Sequence, residues 1–185
     1  VTLLSSLPPA DRLKLILVDE RTALHSAACQ GYTETVSGIL NCLTADQQLN
    51  LLLTQDRLGN TALHYAARRG HTETVRILLD NLTPEQQLQL LITQNNSGNT
   101  ALHNAARWGH TETVISLLHT LTPEQQLKLL SVQNNTGKTV SQIAAASKQK
   151  ETEKMLKKYE RDADSEVNYG KLGNYYVMTE NRGLN

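Results

Sequence analysis

The tetrapeptide Thr-Ala-Leu-His occurs three times in this chain of 185 residues, at 22–25, 61–64 and 100–103. The copies are 39 residues apart, and a weakened fourth copy, Thr-Val-Ser-Gln at 139–142, follows at the same interval. A constant interval of this length indicates one supersecondary unit that is stacked on itself, because a single unit cannot bury its own apolar face. The repeat therefore predicts a solenoid and favours a function in which a surface binds a partner.

The repeat divides residues 1–160 into about four units, which lie at about 7–42, 43–81, 82–120 and 121–159. Each unit is expected to contain three helices and a turn, so the fold class is all-α. The first helix begins at the Thr-Pro-Glu-Gln sequences, since Thr caps a helix, Pro suits its first position and Gln can close a capping box. The second helix is expected to end at Gly109 as a left-handed cap, and the third to begin at Thr111.

The composition changes after the last unit. Residues 161–166 (Arg-Asp-Ala-Asp-Ser-Glu) are polar and predict a linker, and 167–185 is a tail rich in Gly, Asn and Tyr without a helical period. Within the tail, 175–178 (Tyr-Tyr-Val-Met) is compatible with a short strand. Three alternatives stay open for the tail: a disordered terminus, packing on the solenoid, and packing on a neighbouring chain.

Composition restricts the partners and the compartment. Basic and acidic residues number 18 each, so a net charge of zero exerts no overall attraction to nucleic acid or to an anionic membrane. No stretch approaches the roughly 18 apolar residues of a membrane helix, and no secretory signal is expected at the start of the chain. The chain begins with Val1 instead of Met, which is compatible with an excised fragment. Two cysteines, Cys29 and Cys42, lie outside any CxxC pattern and favour a reducing compartment, so we expect a cytoplasmic protein.

Residues 56–79 read Asp-Arg-Leu-Gly-Asn-Thr-Ala-Leu-His-Tyr-Ala-Ala-Arg-Arg-Gly-His-Thr-Glu-Thr-Val-Arg-Ile-Leu-Leu, and residues 98–118 repeat this pattern closely. A turn, a helix that ends in Gly-His and a second helix that ends in Leu-Leu resemble the ankyrin-repeat family. The resemblance covers about residues 15–158 and recurs in register. It implies an ankyrin-type solenoid and a non-enzymatic role in protein–protein interaction.

Two features depart from the family pattern. Ala follows Thr where the family usually has Pro, and the period is 39 where the family has about 33. The extra length lies in the Leu-Thr-Pro-Glu-Gln-Gln-Leu segment, which adds one helix to each unit. Long units of this kind are loosely similar to ankyrin arms of effector proteins that intracellular bacteria inject into host cells, and this similarity implies the host cytosol as the compartment.

Ankyrin repeats bind partners through their turn tips and the exposed face of the first helix of each pair. Carried over by position, the partner-binding residues are Arg57, Leu58, Asn60, Tyr65, Arg68, Arg69, Asn96, Asn99, Asn104, Arg107 and Trp108, with Ser97 among them. The corresponding positions of the two outer units are Ser26, Cys29, Gln30, Thr136, Lys138 and Ser147.

Trp108 is the only tryptophan, and the repeat frame assigns its position to solvent. Trp and Arg are enriched among the residues that dominate binding energy. Arg68, Arg69 and Arg107 are expected to surround Trp108 and to form a basic, aromatic patch that suits an acidic or aromatic segment. The alternative is that Trp108 packs over a neighbouring unit or under the tail.

The sequence gives only weak indications of metal binding, nucleophilic catalysis or nucleic-acid binding. The periodic histidines (25, 64, 103 and 71, 110) are displaced by whole units, so they do not converge on one metal ion, and the resemblance implies that they bridge turns. Cys29 follows His25 on one helix face, but no third orienting group accompanies the pair. The lysines within 148–158 alternate with glutamates and predict the solvated face of a capping unit, not a nucleic-acid site. We predict no catalytic residue, metal or cofactor.

The sequence thus predicts a module that binds a protein partner through a concave face and turn tips, with a bacterial effector as one role. The alternative is a targeting or substrate-positioning arm of a larger enzyme whose catalytic domain lies outside this chain.

Overall fold

The computed structural model describes residues 17–18, 21–80 and 82–180, with side chains over 22–80 and 82–168. Within this part the chain is helical, as predicted, apart from one pairing of two-residue strands, β1 (Leu17–Val18) with β2 (Arg21–Thr22). The helices are α1 (Ala23–Gln30), α2 (Thr33–Asn41), α3 (Ala45–Leu53), α4 (Ala62–Arg69), α5 (Thr72–Leu79), α6 (Pro84–Ile92), α7 (Ala101–Trp108), α8 (Thr111–Leu118), α9 (Pro123–Leu130), α10 (Val140–Ala146) and α11 (Lys150–Glu180). The first helix predicted for the unit at 7–42 lies outside the described residues.

The helices pack in three columns that run through the repeat. The inner helices α1, α4, α7 and α10 stack on one another, the outer helices α2, α5, α8 and α11 form a second column, and the additional helices α3, α6 and α9 form a third. The alanine pairs at 66–67 and 105–106 are completely buried, so neighbouring inner helices pack closely. Leu90 and Leu91 of α6 are also completely buried. The additional helices are therefore part of the core.

The additional helices begin at the predicted threonine caps. The amide N–H of Gln86 donates to the Thr83 hydroxyl at 3.3 Å, and the Gln86 side chain accepts from the Thr83 N–H at 3.0 Å, with Pro84 at the first helical position. The same reciprocal bonds start α3 and α9. The Gln87 amide donates to the Leu79 carbonyl at 3.0 Å and so ties α6 to the end of the preceding outer helix.

The first three inner helices end at glycines in the left-handed region. Gly109 has φ 73° and its N–H donates to the carbonyls of the last turn of α7, which confirms the predicted cap. Gly31 and Gly70 repeat this geometry. In the last unit Lys148 takes the same position with φ 61°, a conformation that is unfavourable for a residue with a Cβ atom.

The repeated histidines join neighbouring units, which confirms the structural role expected of them. Nε2 of His64 donates to the Asn99 carbonyl at 3.0 Å, so Nδ1 is the acceptor for the Thr61 N–H at 3.2 Å. His25 and His103 make the same bridges to the following turns. Burial lowers the pKa of His64 to about 4 and also lowers the pKa of His103, so both rings are neutral at pH 7.

Further polar bonds cross each junction between units. Hydroxyl pairs join successive outer helices at Thr33–Thr74, Thr72–Thr113 and Thr111–Thr152, at 3.0, 2.8 and 2.7 Å. At the turn tips the Asn96 N–H donates to the Leu58 carbonyl at 3.0 Å, and the Asn135 N–H donates to the Ser97 carbonyl at 3.1 Å. The stacking of the units therefore fixes the relative positions of their tips.

The C-terminal end differs from the expectation. Helix α11 continues through 161–166, where a linker is predicted, and through 175–178, which the sequence left compatible with a short strand. The helical course of 161–166 has a physical reason: Leu156, Tyr159 and Ala163 extend one apolar stripe, and Leu156 and Ala163 are buried where α11 packs against its neighbours, α9 among them. The charged residues between them lie on the remaining face of the helix. The side chains of the tail from 169 onward lie outside the described part, so packing on the solenoid and packing on a neighbouring chain stay open as alternatives.

The last unit carries the solvated face expected of a cap. Lys148, Lys150, Lys154, Lys157 and Lys158 are exposed, and Glu153, at the position of a buried valine in earlier units, accepts a hydrogen bond from Lys157 at 2.6 Å. None of the described helices combines the length and the apolar character that crossing a membrane requires.

Candidate functional site

A cleft of about 300 Å³ lies where the turn tips meet the inner helices α4 and α7, and we call it the inner cleft. Its lining residues are Leu58, Asn60, Arg68, Asn95, Asn96, Ser97, Asn99, Asn104, Arg107 and Trp108. All the partner-binding residues predicted in the two central units lie in this lining except Arg57, Tyr65 and Arg69. The repeat frame therefore brings most of the predicted set together, and the structure adds Asn95.

Trp108 is half-exposed in this cleft, at the C-terminal end of α7. The indole retains 53% of its accessible surface, and the guanidinium carbon of Arg68 lies 5.8 Å from its ring centroid. This distance is typical of a cation–π contact. Trp108 thus packs partly on the neighbouring unit, as the alternative supposes, and still presents a large aromatic surface to solvent.

The two arginines of the cleft make it basic, as the sequence predicts. Arg68 and Arg107 are exposed, and within the described part of the chain neither guanidinium forms a salt bridge. Among the described residues that line the cleft, none carries a carboxylate. Arg69 is exposed as well but does not line the cleft, so the predicted ring of three arginines around Trp108 is reduced to Arg68 and Arg107.

Asn60 and Asn99 have a different role from the other polar residues of the lining. They are only 8% and 9% exposed, and their Oδ1 atoms accept from the side-chain amides of Asn95 and Asn134 at 2.8 and 3.0 Å. Their main-chain carbonyls accept from the bridging histidines. These two asparagines hold neighbouring turns together, and only a small part of each faces the cleft.

Tyr65 supports the turn tip from outside the cleft. Its hydroxyl donates to Asp56 Oδ2 at 2.5 Å, and its ring meets the His25 ring edge-on at 6.0 Å between centroids. Partial burial raises the pKa of the Asp56 carboxyl, but the bonds from Tyr65 and from the Asn60 and Leu58 amides outweigh burial and hold this pKa below its usual value. An ionised Asp56 therefore stabilises the shape of the tip that carries Leu58.

The remaining candidates lie apart from the inner cleft. Ser26, Gln30, Thr136 and Lys138 are exposed, and Cys29 and Ser147 are half-buried, on the units at either side. His25, the partner considered for Cys29, bonds to Thr22 and to the next turn instead. Within the described part of the chain, no three His, Cys, Asp or Glu side chains lie together in a way that could hold a metal ion.

Comparisons with known proteins agree with this fold. A family model described as ankyrin repeats matches the chain in three copies, over residues 2–89, 38–128 and 85–169. No curated protein matches the chain. Many solved structures do, and one matching chain is from the crystal structure of the yeast ribosomal protein Rps3 in complex with its chaperone Yar1. It is 27% identical, with a TM-score of 0.63, over 83% of this chain and 96% of that chain. Because the family match extends over most of its length, this protein belongs to the ankyrin-repeat family.

Proposed function

We propose that this protein is a recognition module that binds a segment of a protein partner in the inner cleft. The observation that carries the proposal is the half-exposed indole of Trp108, held under Arg68 in a cleft with no acidic lining residue. Membership of the ankyrin-repeat family supports a protein partner. The matched chain also comes from a complex of a chaperone with a ribosomal protein, which is consistent with this kind of function.

The chemistry of the cleft favours an acidic or aromatic segment. A carboxylate that approached Arg68 or Arg107 would supply the charge that these guanidinium groups lack within the described part of the chain, and the planar fork of Arg suits a bidentate contact. An aromatic ring could stack on the free surface of Trp108. The asparagine and serine side chains around them supply hydrogen bonds without adding charge.

The cleft is also suited to binding without reorganisation. The alanines beneath it at 66–67 and 105–106 are completely buried, and the turn tips are tied to each other by backbone bonds. A surface that is already rigid loses little conformational entropy on binding. Affinity is therefore expected to depend on a few side chains and not on the total area of contact.

Trp108→Ala tests the proposal directly. Loss of this aromatic anchor should weaken partner binding by about 2 kcal/mol or more, roughly thirtyfold. Stability should change by no more than about 1 kcal/mol, the size of an exposed cation–π contact. Native protein and a Trp108→Ala, Arg107→Ala variant are compared in an affinity pull-down read by mass spectrometry, and a partner lost from the variant is then titrated by calorimetry.

Tyr32→Ala is the matched control, because Tyr32 is a 61% exposed aromatic that lies outside the cleft. It should leave binding unchanged. Equal losses for Tyr32→Ala and Trp108→Ala, or a Trp108→Ala protein that unfolds while its residual folded fraction still binds, would contradict the proposal.

The finer roles remain proposals. The enlarged units support the idea of a bacterial effector that acts on host proteins in the host cytosol, and two cysteines outside a disulfide fit a reducing cytoplasmic compartment. The targeting arm of a larger enzyme is the alternative. A full-length reading frame would distinguish the enzyme arm from a separate recognition module, because additional sequence with its own catalytic motif would favour the enzyme.

A further inference from the structure

A second groove lies between the outer helices α5 and α8 and the additional helix α6, and we call it the outer groove. Its volume is about 530 Å³. Ile77 and Ile115 provide apolar surface, while Glu73, Arg76 and Glu112 are charged side chains that are more than half exposed. None of the residues that line the inner cleft takes part in it. The additional helix, which lengthens each unit, supplies one wall.

The outer groove continues into a neighbouring one through Ile115. This side chain is 37% exposed and also lines a groove of about 520 Å³ between α8, α9 and α11, together with Met155 and Tyr159. At the equivalent positions of the adjacent units the sequence has Arg76 and Lys154. An isoleucine where both adjacent units have a charged residue leaves apolar area open to solvent, which is typical of an interaction site.

The charge of the outer groove is opposite to that of the inner cleft. Arg76 lies 3.1 Å from the Glu73 carboxylate and 3.6 Å from the Glu112 carboxylate, so two acidic groups share one guanidinium. The inner cleft is lined by two arginines and no carboxylate. The net charge of the chain is zero, but the inner cleft is basic and the outer groove is acidic.

We propose that the outer groove and its continuation bind a basic segment of a protein partner that carries apolar residues beside Lys or Arg. The apolar side chains cover Ile115 and Met155, and the cations meet Glu73 and Glu112. Complementary charge of this kind selects the partner and speeds its approach more than it raises affinity. The site is separate from the inner cleft, so the two surfaces can hold different segments.

The test uses the full chain and three fluorescein-labelled synthetic peptides of equal length. The first combines Lys and Leu with a helical apolar stripe, the second replaces Lys by Glu, and the third replaces Leu by Ser. We expect the Lys–Leu peptide to bind in fluorescence anisotropy, the other two to bind about tenfold more weakly or less, and added salt to reduce the binding. Backbone amide shifts in NMR should be confined to α5, α6, α8, α9 and α11.

Matched variants locate the site. Glu112→Lys should weaken the Lys–Leu peptide about tenfold, and Glu34→Lys should not, because Glu34 is at the same position of α2, two units away. Both changes remove a first-turn glutamate, so their effects on helix stability are matched. Ile115→Ser should weaken binding, and Leu58→Ser, in the inner cleft, should not.

The proposal would be overturned if the Lys–Leu peptide did not bind, if it bound the native protein and Glu112→Lys equally, or if the Glu–Leu peptide bound the native protein as well as the Lys–Leu peptide does. Loss of binding with Leu58→Ser but not with Ile115→Ser would place the peptide in the inner cleft. That result would refute the outer site and leave the proposed function of the inner cleft intact.

Discussion

Replacing His64 by glutamine would separate the two roles of the repeated histidine, the cap of its own helix and the bridge to the next unit. The chain contains a natural example, since Gln142 occupies the equivalent position in the fourth unit and its Oε1 accepts from the Thr139 N–H at 3.0 Å. Gln at position 64 should therefore keep the bond to Thr61. We expect it to lose the bond to the buried turn that follows, because the Gln amide nitrogen extends less far than the imidazole Nε2 when Oε1 is held at the cap.

The expected magnitude has two parts. At pH 7 a buried carbonyl that loses its donor costs about 1–3 kcal/mol of folding free energy. The second part depends on pH, because folding lowers the pKa of His64 from 6.5 to about 4. Between these values the unfolded chain binds a proton that the folded chain does not. The stability that comes from neutral His64 is complete above about pH 6.5 and falls by about 3 kcal/mol as the pH approaches 4.

Urea unfolding of the native protein and of His64→Gln, from pH 7.5 to pH 4, measures both parts. The variant should be less stable at pH 7, and the difference should shrink towards zero or reverse near pH 4. The lowered pKa of His103 reduces the stability of both proteins alike as the pH falls, so its effect largely cancels in the difference between them. The lowered pKa of Asp56 affects stability only below pH 3.8. A difference that stays constant with pH would refute the argument from burial, and equal stability at pH 7 would refute the bridge.

Two further predictions concern the turns and the additional helices. Gly59 and Gly137 have φ of 74° and 71°, but a Cβ atom at Gly59 would lie 2.7 Å from the Asn96 nitrogen, whereas one at Gly137 would meet nothing within 4 Å. Gly137→Ala should lower the free energy of unfolding by about 1 kcal/mol, and Gly59→Ala should lower it clearly more. Equal losses of stability for the two variants would contradict this expectation. Leu90→Ala should cost about 2–5 kcal/mol because its side chain is completely buried; a loss below about 1 kcal/mol would mean that α6 is not part of the core.

The features that the sequence predicts well depend on local or periodic patterns. The caps at Thr83 and Gly109 follow from residues a few positions apart, and both are present. The alignment of copies at one interval places Arg68, Arg107 and Trp108 on neighbouring units at matching heights, and the structure brings them into one cleft. Such positions can be inferred because residues that are one repeat apart in the sequence lie next to each other on stacked units.

The features that the sequence does not predict depend on contacts between units. Asn60 and Asn99 occupy turn positions, but their burial comes from amides 35 residues further along the chain. The helical course of 161–166 comes from packing of α11 on its neighbours, and a polar composition does not distinguish a linker from the exposed face of a helix. The outer groove did have a sequence indication, the isoleucine at 115 between arginine and lysine at equivalent positions.

The polar bonds between units have a mechanical consequence. Each of the histidine bridges and hydroxyl pairs described above joins immediate neighbours, so breaking one junction leaves the next intact. A chain pulled from its ends should then yield in steps, with one unit detaching at a time from a terminus. Each step would release the 39 residues of one repeat, or about 13 nm of extended chain. Under a stretching force, the protein would therefore unfold one unit after another instead of in a single transition.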